Sequence, residues 1–134
     1  MAPEARRGPV DGTPIRLVLV EDNKIFREAL ELLFDLRPEI DVVAMYDNGS
    51  TAIANVREQH PDVVLMDYRL PGLDGAQATR AILEAYPETA VVCLTASVSG
   101  KEAKAILEAG AVACLTKDEE LDEIIAAIHR AANR

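Results

Sequence analysis

Five short apolar runs, rich in valine, isoleucine and leucine, recur along this chain, and a helical pattern follows each of them. Strands that are apolar along their whole length are typical of a parallel sheet covered by helices on both faces. The alternation therefore predicts an α/β fold of five strand–helix units with right-handed crossovers. The predicted strands are residues 15–20, 42–46, 62–67, 90–95 and 112–116.

The helical segments have recognisable boundary signals. The first predicted helix covers residues 23–36, and Asn23 can cap it. Its apolar residues share one face, as in an amphipathic helix: Ile25, Ala29, Leu32, Leu33 and Leu36. The fifth predicted helix starts at Asp118, where three acidic residues in the first turn would suit the helix dipole. Between these, helices are predicted before His60-Pro61, over residues 75–85, and from near Ser99 to just before Gly110.

Length, charge and cysteine content narrow the class of protein. A chain of 134 residues favours one domain, predicted over residues 15–132 after a flexible leader of residues 1–14. The net charge of −9 argues against direct nucleic-acid binding, which needs a basic face. No apolar stretch is long enough for a membrane span. Two cysteines, both inside predicted strands, imply no disulfide framework, so we expect a cytoplasmic protein.

Polar side chains suited to phosphoryl transfer stand at the ends of four predicted strands. Glu21 and Asp22 follow the first strand, and Asp67 ends the third. Thr95 ends the fourth strand, and Lys117 follows the fifth. Because the carboxyl ends of parallel strands meet at one edge of a sheet, we expect these side chains to converge there.

A carboxylate can act as a covalent phosphoryl acceptor, and Asp67, held on a rigid element, is the candidate. Lys117 would supply a fixed positive charge for the transferred group, and the Thr95 hydroxyl would donate to a phosphoryl oxygen. Asp67, Thr95 and Lys117 are therefore the predicted catalytic residues. The chain is expected to be an acceptor with at most slow autodephosphorylation, and not an enzyme that turns over a free substrate.

The same carboxylates predict a metal site. Mg²⁺ prefers octahedral oxygen ligands with one or two carboxylates plus water and phosphate. Asp22 and Asp67 could coordinate it directly, and Glu21 either directly or through water. A backbone carbonyl just after Asp67, that of Arg69, could complete the set.

Four segments together resemble the receiver domain of two-component response regulators: Val20-Glu21-Asp22-Asn23, Met66-Asp67-Tyr68-Arg69-Leu70-Pro71-Gly72-Leu73-Asp74-Gly75, Leu94-Thr95-Ala96 and Leu115-Thr116-Lys117-Asp118. The resemblance covers about residues 15–132. The segments Tyr68-Arg69-Leu70-Pro71-Gly72 and Lys117-Asp118 are most similar to those of receivers that usually carry a helix-turn-helix domain. It implies a flavodoxin-like (βα)5 fold with strand order 2-1-3-4-5. It also implies phosphorylation of Asp67 by a partner histidine kinase, with Mg²⁺ at Glu21, Asp22 and Asp67.

The resemblance further implies a switch. Thr95 and Lys117 would sense the phosphoryl group, and the segment from Ala96 through Ser97 would carry the change into helix four, strand five and helix five. Arg69 and Ser97 would tune the lifetime of the phosphorylated state. The expected partners are a downstream protein or a detached output domain, and a phosphorylation-dependent homodimer through helix one or helix five stays open.

Two positions depart from many receivers. Cys114 stands three places before Lys117, where an aromatic switch residue is common, and Asp118 stands where a proline, often after a cis peptide, is common. The alternative function is therefore a receiver-like interaction scaffold with muted or no phosphorylation-driven switching. A haloacid dehalogenase-type phosphatase is disfavoured, because Arg69 occupies the place of its second aspartate. A flavin- or nucleotide-binding module is disfavoured because no glycine-rich loop follows the first strand.

Overall fold

A computed structural model of the chain describes residues 12–96 and 100–134. Its five parallel strands, numbered along the chain, form one sheet in the order 2-1-3-4-5, which confirms the predicted flavodoxin-like topology. Most of the predicted leader lies outside the described residues, and the domain limits of 15–132 stay a prediction. The elements are β1 (Ile15–Val20), α1 (Lys24–Asp35), β2 (Ile40–Tyr46), α2 (Gly49–Gln59), β3 (Val63–Met66), α3 (Gly75–Ala85), β4 (Ala90–Thr95), α4 (Gly100–Glu108), β5 (Ala113–Thr116) and α5 (Leu121–Ala132).

The central strands are apolar on both faces because both faces are covered. Successive side chains of a strand point to opposite sides of the sheet. In β1, Leu17 and Leu19 join the core beneath α1 and α5, whereas Val18 and Val20 join the core beneath α2, α3 and α4. The continuous apolar runs of the sequence are therefore two interleaved sets of core residues. No helix among the described residues is long and apolar enough to cross a membrane.

The apolar face predicted for α1 is not its buried face. Leu30 and Phe34 pack into the core, whereas Ile25, Leu32 and Leu36 are exposed by 81%, 70% and 76%. The helix carries two apolar stripes, and both have the spacing of a packed helix face. Periodicity alone could not decide between them, and the larger aromatic side chain occupies the core.

The beginning of α5 also differs from the prediction. The helix begins at Leu121, after Glu120 as its N-cap, and not at Asp118. The backbone N–H of Glu119 donates to the Thr116 carbonyl at 3.1 Å, and the Thr116 hydroxyl donates to the Asp118 carboxylate. These two bonds hold Asp118 and its acidic neighbours in a turn, although the same residues would also be favourable at a helix N-terminus. Ser99, the predicted start of helix four, lies outside the described residues.

Candidate functional site

The sheet fixes the backbone of the predicted site residues one step beyond the strands. The N–H of Glu21 donates to the Tyr46 carbonyl at 2.9 Å, and the N–H of Asp67 donates to the Val20 carbonyl at 3.0 Å. In the same way the N–H of Lys117 donates to the carbonyl oxygen of residue 95 at 2.8 Å. The carboxyl edge of the sheet therefore holds these residues on rigid backbone.

Three carboxylates converge at this edge. Glu21, Asp22 and Asp67 each offer an oxygen, and these oxygens lie within 4.8 Å of one another. Glu21 and Asp67 are buried, whereas Asp22 is exposed to solvent. An all-oxygen, acidic set with one open side matches what Mg²⁺ takes from proteins, since the ion keeps several water ligands. The residues present therefore fit that ion.

Lys117 bridges the two buried carboxylates. Its Nζ lies 2.8 Å from Glu21 Oε1 and 3.2 Å from Asp67 Oδ2, and it sits 4.4 Å from the centre of the Phe26 ring. Burial acts to lower the pKa of Lys117, but the hydrogen bond to Glu21 and the negative charges of Asp67 and Glu21 outweigh it and raise this pKa. Lys117 is therefore a charged ammonium at neutral pH.

The surroundings of Glu21 disfavour the charged form of its carboxyl group. Burial raises its pKa, and the neighbouring Asp67 charge adds to this, against the hydrogen bonds from Lys117 and from the backbone of Asn23. The Asn23 N–H donates to Glu21 Oε2 at 3.0 Å. Two buried carboxylates thus share one ammonium, and a further cation would offset the excess negative charge.

Thr95 presents an unsatisfied hydroxyl. Its Oγ1 is buried and has no hydrogen-bond partner within the described part of the chain. Buried hydroxyls are ordinarily hydrogen-bonded, so an unpaired hydroxyl at this edge of the sheet is available to donate a hydrogen bond to a ligand. Thr79 and Thr89 have similarly unsatisfied hydroxyls elsewhere in the fold.

The loop after Asp67 is held against α3 by a glycine. The N–H of Gly75 donates to the Tyr68 carbonyl at 2.6 Å, and a Cβ at this position would lie 2.6 Å from Tyr68 Cα and 2.9 Å from the Asp67 carbonyl oxygen. Asp74 caps α3 in a capping box with Gln77. Only glycine allows this close approach of the helix to the backbone that carries Asp67.

The residues predicted to tune the phosphorylated state differ in their surroundings, and their tuning role stays a prediction. The Arg69 N–H donates to Asp67 Oδ1 at 3.3 Å, and the Arg69 guanidinium pairs with Glu102 of α4 at 3.3 Å. Ala96 is exposed, and Ser97 lies outside the described residues. The role of the Arg69 carbonyl as a metal ligand stays a prediction.

Cys114 is half-buried and pairs in register with Cys93 of the neighbouring strand. Burial raises the pKa of both thiols, so neither is a ready thiolate at neutral pH. The Lys117–Asp118 peptide, whose isomer the sequence left open, is trans. Cys114 therefore stands, as a small side chain with a protonated thiol, at the position where many receivers have an aromatic residue.

Sequence reasoning missed three contacts of this site. Phe26 beneath Lys117 and Glu102 beside Arg69 carry no local signal, because each meets its partner from a distant part of the chain. The third is Arg27, whose Nη1 donates to the Glu21 carbonyl at 2.7 Å and fixes the beginning of α1 to the acidic pair.

Fold and site together define a class of protein. The family model of the response regulator receiver domain matches residues 17–129, and the chain belongs to this family. Receiver domains of this kind are signalling proteins.

Individual relatives agree with this assignment. The chain is 32% identical to the transcriptional regulatory protein DegU of Brevibacillus brevis, with 89% of the chain and 50% of that protein covered. It is 37% identical to the transcriptional regulatory protein LnrK of Bacillus subtilis, with 85% of the chain and 52% of that protein covered. The chain thus spans about half the length of these curated relatives.

Solved structures show the same fold. A LuxR-family two-component response regulator from Aurantimonas superposes with a TM-score of 0.84 at 34% identity, covering 90% of this chain and 87% of that one. The signal receiver domain of the response regulator NarL from Mycobacterium tuberculosis gives a TM-score of 0.83 at 33% identity, covering 89% and 96%.

Proposed function

We propose that this chain is a phosphorylation-dependent signalling switch in which Asp67 accepts a phosphoryl group from the phosphohistidine of a partner kinase. The single observation that carries the proposal is the position of the Asp67 carboxylate. It lies 3.2 Å from the Lys117 ammonium and within one cluster of oxygens with Glu21 and Asp22.

The transfer is a single displacement. An Asp67 carboxylate oxygen attacks phosphorus, an O–P bond forms, and the N–P bond to the donor histidine breaks in line with it. The histidine leaves as neutral imidazole after taking up a proton from solvent. Lys117 turns from the carboxylates to the transferred oxygens, and the Thr95 hydroxyl donates its free hydrogen bond to one of them.

Magnesium belongs to this proposal. Glu21, Asp22, Asp67 and the Arg69 carbonyl would hold the ion. It would supply neutralisation of the negative charge on the phosphoryl oxygens. The excess of buried carboxylate over ammonium, and the raised pKa of Glu21 that goes with it, support a cation at this place.

The signal would leave through the α4–β5–α5 face. When Thr95 moves towards the phosphoryl group, the segment from Ala96 through Ser97 follows, and this segment leads into α4. The Arg69–Glu102 ion pair is a second link from the acceptor loop to the same helix. The phosphoryl group would act by favouring one of two conformations that already exist in equilibrium.

The receiving partner is a downstream protein or an output domain, attached or separate. The relatives named above are transcriptional regulatory proteins, which supports an output that controls transcription. The acidic balance of this chain argues that nucleic-acid contact is made by that partner. We place the reaction in the cytoplasm, where the free thiols of Cys93 and Cys114 would stay reduced.

The test is intact mass after incubation with acetyl phosphate and Mg²⁺. We expect one phosphoryl group on the wild type, stable in acid and labile in base, and absent without Mg²⁺ or in Asp67→Asn. Asp41→Asn, an equal change at an exposed aspartate of β2, should keep the adduct. If the wild type never acquires the group, although Mg²⁺ binds and hydrolysis is slow, the interaction scaffold becomes the better assignment.

A further inference from the structure

Two cysteines that the phosphoryl-transfer site does not use lie side by side in the sheet. Cys93 of β4 and Cys114 of β5 are Cα partners on neighbouring parallel strands. The Cys93 thiol donates a hydrogen bond to the Cys114 sulfur, so the two sulfur atoms are in contact. A pair of thiols in contact can lose two electrons together and become a disulfide, which a single cysteine cannot do.

The spacing of the strands suits a bond between these two side chains. Neighbouring strands lie about 4.8 Å apart, and disulfides join residues whose Cα atoms are about 4.4–6.8 Å apart. Both side chains also point to the same face of the sheet, since both pack in the core beneath α2, α3 and α4. Because β5 is an edge strand, it can make the small approach towards β4 that a bond requires.

The two thiols differ in their exposure to solvent. Cys93 is 2% exposed, whereas Cys114 is half-buried, so an oxidant from solvent meets Cys114 first. Burial raises the pKa of both thiols, whereas the hydrogen bond from Cys93 acts in the opposite direction on Cys114 and favours its thiolate. The reactive thiolate is therefore scarce at neutral pH, and oxidation should be slow there and faster as the pH rises.

We propose that Cys93 and Cys114 are a redox site at which a hydroperoxide converts the two thiols into a reversible cross-strand disulfide. The Cys114 thiolate attacks the peroxide, an S–O bond forms, the O–O bond breaks, and an alcohol or water leaves. Cys93, as a thiolate, then attacks the sulfur of the Cys114 sulfenic acid. The S–S bond forms, the S–O bond breaks, and hydroxide leaves and gains a proton to become water. The two thiols lose two electrons, and the peroxide takes them up.

The disulfide at this place should be readily reduced. A bond that draws an edge strand towards its neighbour stores strain, and strained disulfides are reduced more easily than structural ones. A small thiol such as glutathione attacks the more accessible Cys114 sulfur, forms a mixed disulfide there and frees Cys93. A second molecule of the small thiol then frees Cys114. Both cysteines are thus reduced at rest in a reducing compartment, and the disulfide is transient.

The disulfide would lie just before the functional edge of the sheet. Thr95 follows Cys93 by two residues, and Lys117 follows Cys114 by three. The N–H of Lys117 donates to the Thr95 carbonyl at 2.8 Å and is the next link between the two strands. A covalent bond at the cysteines would therefore restrain the ends of β4 and β5. The bond itself does not depend on phosphorylation, whereas its effect on switching rests on the proposed function, in which Thr95 moves.

The first experiment treats the reduced, folded chain with hydrogen peroxide, alkylates the remaining thiols with iodoacetamide in urea, and measures the mass. We expect the wild type to lose both free thiols within one chain, with an intact mass lower by two hydrogens and a peptide that links Cys93 to Cys114. Glutathione should restore both thiols. Cys93→Ala should stop at a sulfenic acid on Cys114, which dimedone labels. The Cys93 thiol of Cys114→Ala should be oxidised at least about tenfold more slowly, because it is buried.

The wild type alone is sufficient to refute the proposal. A wild type that keeps both thiols, or that is oxidised to sulfinic acid without a disulfide, overturns it. So does a disulfide that joins two chains, that forms only in urea, or that resists glutathione. Circular dichroism shows whether the two alanine variants are folded, and the results on the wild type do not depend on them.

Hydrogen exchange separates the disulfide from the phosphoryl switch. Without a phosphodonor, the N–H of Lys117 should exchange at least about tenfold more slowly in the oxidised protein, because the cross-link opposes opening between the strands. With acetyl phosphate and Mg²⁺, the change in exchange of α4 should be smaller in the oxidised protein than in the reduced one. Equal exchange of Lys117 in the two forms overturns the restraint. If the disulfide forms but neither form acquires a phosphoryl group, the proposed function fails and the redox site stands.

Discussion

Gly75→Ala tests how the acceptor loop is held. The added methyl group would lie 2.6 Å from Tyr68 Cα and 2.9 Å from the Asp67 carbonyl oxygen. Both neighbours are backbone atoms, so no side chain can rotate out of the way. Either α3 or the Asp67–Tyr68 segment must move, and the 2.6 Å bond from the Gly75 N–H to the Tyr68 carbonyl weakens with it.

The size of the effect follows from three contributions. Overpacking against fixed atoms costs about 1–3 kcal/mol. The weakened hydrogen bond costs about 1 kcal/mol. Alanine returns about 1 kcal/mol through its better helix propensity. The net loss is about 1–3 kcal/mol in the free energy of unfolding, measured by urea titration with circular dichroism.

Gly100→Ala is the matched control. Gly100 is the first residue of α4, and a Cβ there would meet no atom within 4 Å. We expect the free energy of unfolding to stay level or to rise by up to about 1 kcal/mol. The phosphorylation rate of Gly75→Ala should fall by roughly tenfold to a hundredfold, because the clash displaces Asp67. A Gly75→Ala variant as stable as the wild type would refute this account of the loop.

Three further predictions concern the site itself. Thr95→Val should raise the free energy of unfolding by about 1 kcal/mol, because it removes an unpaired buried hydroxyl, yet it should abolish the conformational response of the protein to acetyl phosphate. Thr89→Val should also stabilise the protein, but without loss of that response. A destabilised Thr95→Val would contradict the assignment of an unpaired hydroxyl to Thr95. Lys117→Met should lower stability by about 1–2 kcal/mol in EDTA by unpairing buried Glu21. This loss of stability should shrink as the pH falls through the pKa of Glu21, which burial raises, because a protonated carboxyl no longer needs the ammonium. Urea titrations across that pH range measure the loss, and a loss that does not depend on pH would count against the pairing of Lys117 with Glu21. Cys114 should react with iodoacetamide more slowly than an exposed thiol at pH 8, as followed by mass, because burial raises its pKa, and the rate should still increase above that pH.

Much of the site followed from the sequence because its geometry depends only on strand order and strand ends. Glu21, Asp67, Thr95 and Lys117 each come at or directly after a short apolar run, and parallel strands bring such positions to one edge. In a parallel sheet of five strand–helix units, Asp67 and Lys117 have to lie at the same edge of the sheet. The distances between them did not follow, because they depend on how each side chain packs.

Other features were decided by tertiary structure alone. The two apolar stripes of α1 have the same periodicity, and only packing against the rest of the fold places Leu30 and Phe34 in the core. Asp118 and its acidic neighbours would suit a helix N-terminus or a turn equally well, and the bond from Thr116 selects the turn. Local patterns fix what each segment can form, whereas burial, which sums contributions from distant parts of the chain, selects among those forms.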